Sequence, residues 1–190
     1  MLLSRKIRIF PTKNQRLLFE NYFGATRYIY NKCIEAHNGD EKLSSLIDFR
    51  GHVMRSFKDI KEIDDDFWLT TIPYDTLQLA IKEFAANLKS CRTKIARHQI
   101  SHFDFKNREK RDKLQHFWIN SEALTATNHG LVLFKKRIQD RVPISRHGKV
   151  ELRRILGAVS DDGNNWSAQV AGDSQIQCDR GAYYLITPYH

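Results

Sequence analysis

Residues 6–15, with the sequence KIRIFPTKNQ, join a short basic strand to the start of a helix. Side chains alternate along a strand, so Lys6, Arg8 and Phe10 share one face while the two isoleucines between them share the other. Two cations and an aromatic ring are therefore expected to point the same way.

The helix that follows this strand has a recognisable beginning. Pro11 ends the strand, and Thr12 with Gln15 three residues later forms a capping box, so we expect a helix to begin near Lys13. Arg27 and Asn31 lie one turn apart on one face of this helix. Its apolar positions recur with an approximately helical period, and they are Leu17, Leu18, Phe23, Ile29, Cys33 and Ile34.

The composition indicates a globular, basic protein. The chain has 190 residues, 41% of them hydrophobic and 28% charged, which suffices for one ordinary domain or two small ones. There are 31 Lys and Arg against 22 Asp and Glu, giving a net charge of +9 and a pI near 9.5. This charge is typical of proteins that bind nucleic acid, although it also suits acidic membranes or simple solubility.

The cysteines and the apolar runs exclude several classes of protein. Cys33, Cys91 and Cys178 lie far apart and form no CxxC pair, so neither a disulfide framework nor a zinc knuckle is indicated. No run approaches the ~20 apolar residues of a membrane span. We expect a soluble intracellular protein of the cytoplasm or nucleus, with no membrane partner and an oligomeric state that the sequence leaves open.

Two further helices and then a series of strands are expected along the chain. A second helix is predicted over Lys42 to Ile60, and a long amphipathic helix from Pro73 to about residue 100. Residues 89–113 are densely basic, with nine Lys or Arg against three carboxylates. Beyond them the pattern alternates with period two, in Leu114–Ile119, Gly130–Phe134, Lys149–Val159, Trp166–Val170 and Ala182–Ile186. We therefore expect an α+β fold, a small antiparallel β-barrel interrupted by an inserted α-helical bundle.

Two groups that look like metal ligands are better explained otherwise. His98 and His102 have a spacing that zinc sites use, but no cysteine or carboxylate partner is signalled in their basic surroundings. In the acidic run from Asp64 to Asp66, adjacent side chains point in diverging directions, so we expect an exposed acidic loop there. We expect no metal site and no catalytic residue. Five aromatics of the strand region could stack on bases, although most of them are expected in the barrel core; they are Phe117, Trp118, Trp166, Tyr183 and Tyr184.

Five short motifs follow one another along the chain, namely Phe10-Pro11-Thr12-Lys13-x-Gln15, Gly24-x-x-Arg27-x-x-Tyr30-Asn31, Trp68-Leu69, Leu77-Gln78-x-Ala80 and Phe105-Lys106. In this order they resemble the N-terminal half of TnpB, a transposon-encoded RNA-guided DNA nuclease, and of its relatives called Fanzor. The resemblance implies a wedge-like barrel with its first strand in residues 1–11, a helical recognition lobe in 12–113 and the remaining barrel strands in 114–190.

The resemblance also implies partners, and it leaves out catalysis. In that family this half holds guide RNA and the guide–target duplex and reads a short motif beside the target DNA. The RuvC-like nuclease domain, with its metal-binding carboxylates, is expected to follow and to be absent from this chain. Mg2+ and Zn2+ are accordingly expected only for that missing half, and no cofactor for this one.

Charge and the resemblance together indicate which residues contact nucleic acid. They are Lys6, Arg8, Lys13, Arg27, Tyr30, Asn31, Phe49, His52, Tyr74, Gln78, Lys94, Lys106, Arg108, Asn120 and Ser121. Lys6, Arg8, Lys13 and Arg27 are expected to bind phosphates.

The alternatives differ from residue to residue. Tyr30 and Asn31 could instead form a hydrogen-bonded core pair. Gln78 falls where the family carries a motif-reading glutamine, which suits adenine in the major groove, but it could also be an ordinary exposed residue. Tyr74 stands where the family often has a basic residue.

Two other functions remain open at this point. The chain could be a nuclease-dead, stand-alone DNA-binding regulator derived from a transposon protein, which would bind DNA without RNA. It could also be a structural or interaction protein whose charge is incidental, which would show a weak dependence of RNA affinity on salt.

Overall fold

The structure is a computed structural model that describes residues 3–39, 43, 45–63, 68–127, 130–133, 150–153 and 172–189. Its helices are α1 (Lys13–Gly39), α2 (Leu46–Ile63) and α3 (Tyr74–Ala96), with short 3-10 helices at Trp68–Thr71 and Ser121–Ala123. Its strands are β1 (Leu3–Ile9), β2 (Leu114–Ile119), β3 (Leu124–Thr127), β4 (Gly130–Leu133), β5 (Val150–Arg153), β6 (Ser174–Asp179) and β7 (Ala182–Tyr189). The strand predicted over Trp166–Val170 lies outside the described residues.

The helix starts follow from local capping. The amide of Thr12 donates to Gln15 Oε1 at 2.8 Å and the amide of Gln15 donates to Thr12 Oγ1 at 3.3 Å, which confirms the predicted capping box. Helix α2 begins at Leu46 rather than Lys42 because Ser45 and Asp48 form a second reciprocal cap, with bonds of 3.2 and 2.9 Å. Short polar side chains thus set where both helices begin.

The main sheet joins the first strand to the last one. Its order is β1-β7-β6-β2, and every neighbouring pair is antiparallel. In this register Ile9 lies opposite Tyr183, and Phe117 lies opposite Ile176. All three helices therefore come between β1 and β2 in the chain, although both strands belong to one sheet.

The closed barrel predicted from the sequence is not supported. Among the described residues, β1 and β2 form the two edges of the main sheet and do not pair with each other, while β3, β4 and β5 form a separate three-stranded sheet. The reason is that α1 covers the apolar face of the main sheet. The rings of Phe19 and Phe23 lie 5.5 and 5.4 Å from that of Phe117, so the helix buries the face that closure would otherwise enclose.

A cluster of aromatic rings joins the three helices to the segment after α3. The Phe84 ring lies 4.9 Å from Phe49 on α2, 4.9 Å from Phe105 and 5.3 Å from Tyr30 on α1. Phe49 is fully buried in this cluster. The expectation that Phe49 contacts DNA is therefore corrected, because no surface of this side chain is open to a ligand.

One carboxylate ties α3 to β2 and to residues 97–113 between them, which we call the basic segment. Glu83 accepts a hydrogen bond from Arg108 Nη2 at 2.7 Å and from Trp118 Nε1 at 3.0 Å, and its Oε1 lies 3.0 Å from His116 Nε2. Burial acts to raise the pKa of Glu83, but the bonds from His116 and Arg108 outweigh it and lower the pKa from 4.5 to about 2. The ionised form is thus the one that the fold stabilises.

Replacing this carboxylate should cost stability in a pH-dependent way. Because the folded pKa lies below the unfolded value, the contribution of Glu83 is complete above about pH 4.5 and is lost as the pH falls towards about 2. Glu83→Gln should lower the free energy of unfolding at neutral pH by about 2–3 kcal/mol. In urea unfolding, the difference from the native chain should shrink by about half by pH 3.

The exposed Glu122 provides the matched control for this measurement. Glu122→Gln should leave the free energy of unfolding nearly unchanged at every pH. A loss for Glu83→Gln that stays constant from neutral pH to pH 3 would contradict the role of the charge.

Candidate nucleic-acid interface

Two cations and two aromatic rings form one surface at the β1 edge of the main sheet. Lys6 and Arg8 are exposed. Ile9, which points to the opposite face of the strand, is only 1% exposed, as the alternation predicts. Lys6 Nζ lies 4.3 Å and Arg8 Cζ 5.1 Å from the ring centroid of Tyr184. Arg8 Nη1 also donates to Tyr184 Oη at 3.0 Å. We call Lys6, Arg8, Phe10 and Tyr184 the β1 surface.

Two more cations stand at the start of α1. Lys13 and Arg16 are exposed in its first turn, where the helix has no acidic residue. Positive charge at a helix N-terminus opposes the helix dipole, so these side chains do not favour the helix itself. Arg16 Nε donates to the carbonyl of Pro11 at 3.1 Å, and its guanidinium carbon lies 5.9 Å from the Tyr183 ring. Tyr183 and Tyr184 point to opposite faces of the sheet, so it is the short link through Pro11 and Thr12 between β1 and α1 that places these cations near the end of the β1 surface.

Arg27 is tied into the fold more closely than the sequence suggested. It is half-buried, and its Nη1 donates to Gln115 Oε1 at 2.5 Å. Burial lowers the pKa of Arg27, and the charge of Asp112 acts in the opposite direction. Arg27 thus links α1 to β2, and its predicted phosphate contact stays a prediction.

Tyr30, Asn31 and Arg108 form a bonded group that holds the basic segment against α1. The amide of Arg108 donates to Asn31 Oδ1 at 2.8 Å, and Asn31 Nδ2 donates to the Arg108 carbonyl at 3.0 Å. The Arg108 guanidinium lies 3.5 Å from the Tyr30 ring centroid, and Asn87 Nδ2 donates to Tyr30 Oη at 3.1 Å. These contacts favour the structural alternative for Tyr30 and Asn31, and they engage Arg108 within the fold.

A second group of predicted residues lies where α3 meets the end of β2. Tyr74 and Gln78 are one turn apart on α3, and Lys82 one turn further bonds to Asp173 Oδ2 at 3.0 Å. Asp173 directly precedes β6, at the end where β6 pairs with the last residue of β2. We call Tyr74, Gln78 and Lys82 the α3 stripe. Through Lys82, this stripe is connected to the end of the sheet at which β2 ends.

Asn120 and Ser121 follow β2 at the same end of the sheet. Asn120 Oδ1 accepts the amide of Glu122 at 3.0 Å and so caps the short helix at Ser121–Ala123. The structure thus brings Asn120 and Ser121 towards the α3 stripe that carries Gln78. Asn120 has a structural role in addition to the predicted contact.

The other predicted residues lie on separate elements. His52 is exposed on α2, Lys94 is exposed near the end of α3, and Lys106 is exposed in the segment after α3. Arg16 and Lys82 are absent from the predicted contacts, and the sequence indicates Tyr184 only as one of several aromatics that could stack on bases. The alternation of β7 could have separated Tyr184 from the buried Tyr183, whereas the Lys82–Asp173 pair spans too much of the chain to be read from local patterns.

The described residues hold no group of three or more His, Cys, Asp or Glu side chains arranged to bind a metal ion. None of the described helices has both the length and the apolar character needed to cross a bilayer.

Comparison with known proteins shows that part of this chain is similar to transposon proteins. Residues 1–38 match the OrfB family of domains described as "Helix-turn-helix domain". A segment of 119 residues, 58% of this chain, is 29% identical to a protein of Paramecium bursaria Chlorella virus 1 that is named as a "putative transposase". The match spans about a quarter of that protein, 27% of its length.

The matched domain has an unexpected shape in this chain. Residues 3–38 form β1 and a single continuous helix, so the two-helix arrangement that the domain's description denotes does not lie within them. The matched part nevertheless contains Lys6, Arg8, Lys13, Arg16 and Arg27. The two matches support a similarity to transposon OrfB/TnpB-like proteins with a DNA-binding N-terminal domain.

Proposed function

We propose that this chain is the nucleic-acid-binding portion of a TnpB-like RNA-guided DNA endonuclease, and that it holds both guide RNA and target DNA. The observation that carries this proposal is the run of exposed cations from β1 into the first turn of α1. In this proposal the chain binds, and metal-dependent cleavage belongs to a nuclease domain outside it.

Charge and geometry favour a polyanionic partner. Phosphate contacts supply most of the affinity of proteins for nucleic acid, and they come mainly from Lys and Arg. Lys6, Arg8 and Lys13 are exposed, and no ion pair with a carboxylate occupies them in the part of the chain that the structure describes. Of these three cations, Lys13 also stands at the N-terminus of α1, where its charge opposes the helix dipole. We therefore expect it to contribute to binding rather than to stability.

The internal contacts support the proposal by holding the basic segment in place. Glu83 and Asn31 fix Arg108, and the flanking Lys106 and Lys110 stay exposed. The segment can therefore present its remaining cations without being free to move away from α1. In this proposal Gln78, at the α3 stripe, reads bases of the motif beside the target.

A stand-alone DNA-binding regulator is the second candidate, and the match to a DNA-binding domain in residues 1–38 favours it. The two functions differ in whether RNA is needed. We expect the full chain, purified with and without the RNA that copurifies with it, to select particular duplex sequences only when RNA is present. Selection of the same duplexes after complete nuclease removal of RNA would support the regulator and contradict the proposal.

The cations at the start of α1 can be tested by their salt dependence. The double variant Lys13→Gln, Arg16→Gln should bind duplex DNA more weakly, and its log–log salt slope should be smaller by about 2, because two phosphate contacts are lost. The measurement is a fluorescence anisotropy titration over a series of salt concentrations.

Lys32→Gln is the matched control, because this cation of α1 is already neutralised by Glu35 at 2.7 Å. It should leave the salt slope unchanged. Equal slopes for the double variant and the native chain would remove the start of α1 from the interface.

A further inference from the structure

Among the residues that the structure describes, Phe10 has the most exposed aromatic ring, and it lies next to the two cations of the β1 surface. Its side chain is 57% exposed directly after β1, and the guanidinium carbon of Arg8 is 5.6 Å from its ring. Ile9 pairs with Tyr183, so the next residue of β7 towards the turn is the small Ala182. A flat partner can therefore approach the Phe10 ring from solvent.

We propose that the β1 surface binds unpaired nucleotides of a nucleic-acid strand, with one base stacked on Phe10 and the neighbouring phosphates on Arg8 and Lys6. This inference rests on the proposed function, and it specifies which form of nucleic acid this part of the interface takes. Stacking on an aromatic ring accepts any base, so the contact is independent of sequence.

The cations of the surface are held in position for phosphates. Both lie against the Tyr184 ring, which restricts their side chains before a ligand arrives. Arg8 donates one N–H to Tyr184 Oη, and a guanidinium has five N–H donors in all. Further donors of Arg8 can therefore reach phosphate oxygens without releasing Tyr184.

Two carboxylates relate to this face of the sheet: Glu83 lies beyond the edge opposite β1, and Asp179 of β6 is on the same face as Tyr184. Register places His116 and Trp118 of β2 on the same face as Arg8 and Lys6, and Glu83 is occupied there by those two side chains and by Arg108. Glu83 thus does not neutralise the β1 cations, and Asp179 forms no ion pair with Lys6 or Arg8 in the part of the chain that the structure describes.

The exposed ring distinguishes a single strand from a duplex. In a duplex the bases are stacked on one another, so a side chain beside the backbone meets sugars and phosphates and cannot stack on a base. Lys6 and Arg8 alone would suit either form, whereas Phe10 adds stability only when a base is unpaired. Cations combined with an accessible aromatic ring are the arrangement used by proteins that hold single strands.

The test uses the full chain and a short single-stranded oligonucleotide carrying a fluorescent adenine analogue whose emission is quenched by stacking. Phe10→Ala should weaken single-strand binding roughly 5- to 150-fold, abolish the quenching, and leave duplex binding unchanged. Phe10→Tyr should retain both affinity and quenching, because its ring still stacks. RNA and DNA versions of the oligonucleotide show which strand is preferred.

Leu114→Ala is the matched control, since Leu114 is 49% exposed on the other edge strand of the same sheet. Equal losses for single strand and duplex in Phe10→Ala, no loss for the single strand, or a similar loss in Leu114→Ala would each overturn the inference. The proposed function would survive those results as long as the chain binds nucleic acid. A chain that binds neither strand nor duplex would contradict both.

Discussion

The packing of α1 across one face of the main sheet is the constraint on which the other features depend. Tyr22 meets the ring of Phe117 edge-on at 5.0 Å, and Phe19 lies 6.1 Å from Tyr183. Because these contacts bury one face, alternation along β1 turns Lys6 and Arg8 to the other face. The same packing directs the start of α1 to the end of β1. A single apolar interface thereby groups the cations of a strand and a helix.

The far half of α1 is held by polar contacts in addition to its buried apolar side chains, and the polar contacts engage the basic segment. Asn31 bonds to both backbone groups of Arg108, while the Arg108 side chain reaches Glu83 on α3. Arg108 thus stabilises the fold, and this role separates it from the cations of the basic segment that are available to a ligand. Net charge alone could not make that distinction, since Arg108 and Lys106 count equally in it.

The sequence predicted features that depend on near neighbours. The capping box at Thr12, the long third helix and the outward cations of β1 all follow from residues within a few positions of one another. The closed barrel was not supported because strand patterns do not show that a helix will cover the sheet. The DNA contact predicted for Phe49 is wrong because this ring is buried against Phe84, which lies on another helix. Contacts between distant segments, such as Lys82 with Asp173, leave no local pattern.

The central claim is that β1 and the first turn of α1 form one surface for a polyanion. The most direct measurement is the rate of lysine acetylation at each site, followed by mass spectrometry, with and without bound nucleic acid. The account predicts that Lys6 and Lys13 become protected together, while Lys32, which is paired with Glu35, keeps its rate. Unchanged rates at Lys6 and Lys13, or equal protection of all three lysines, would contradict it.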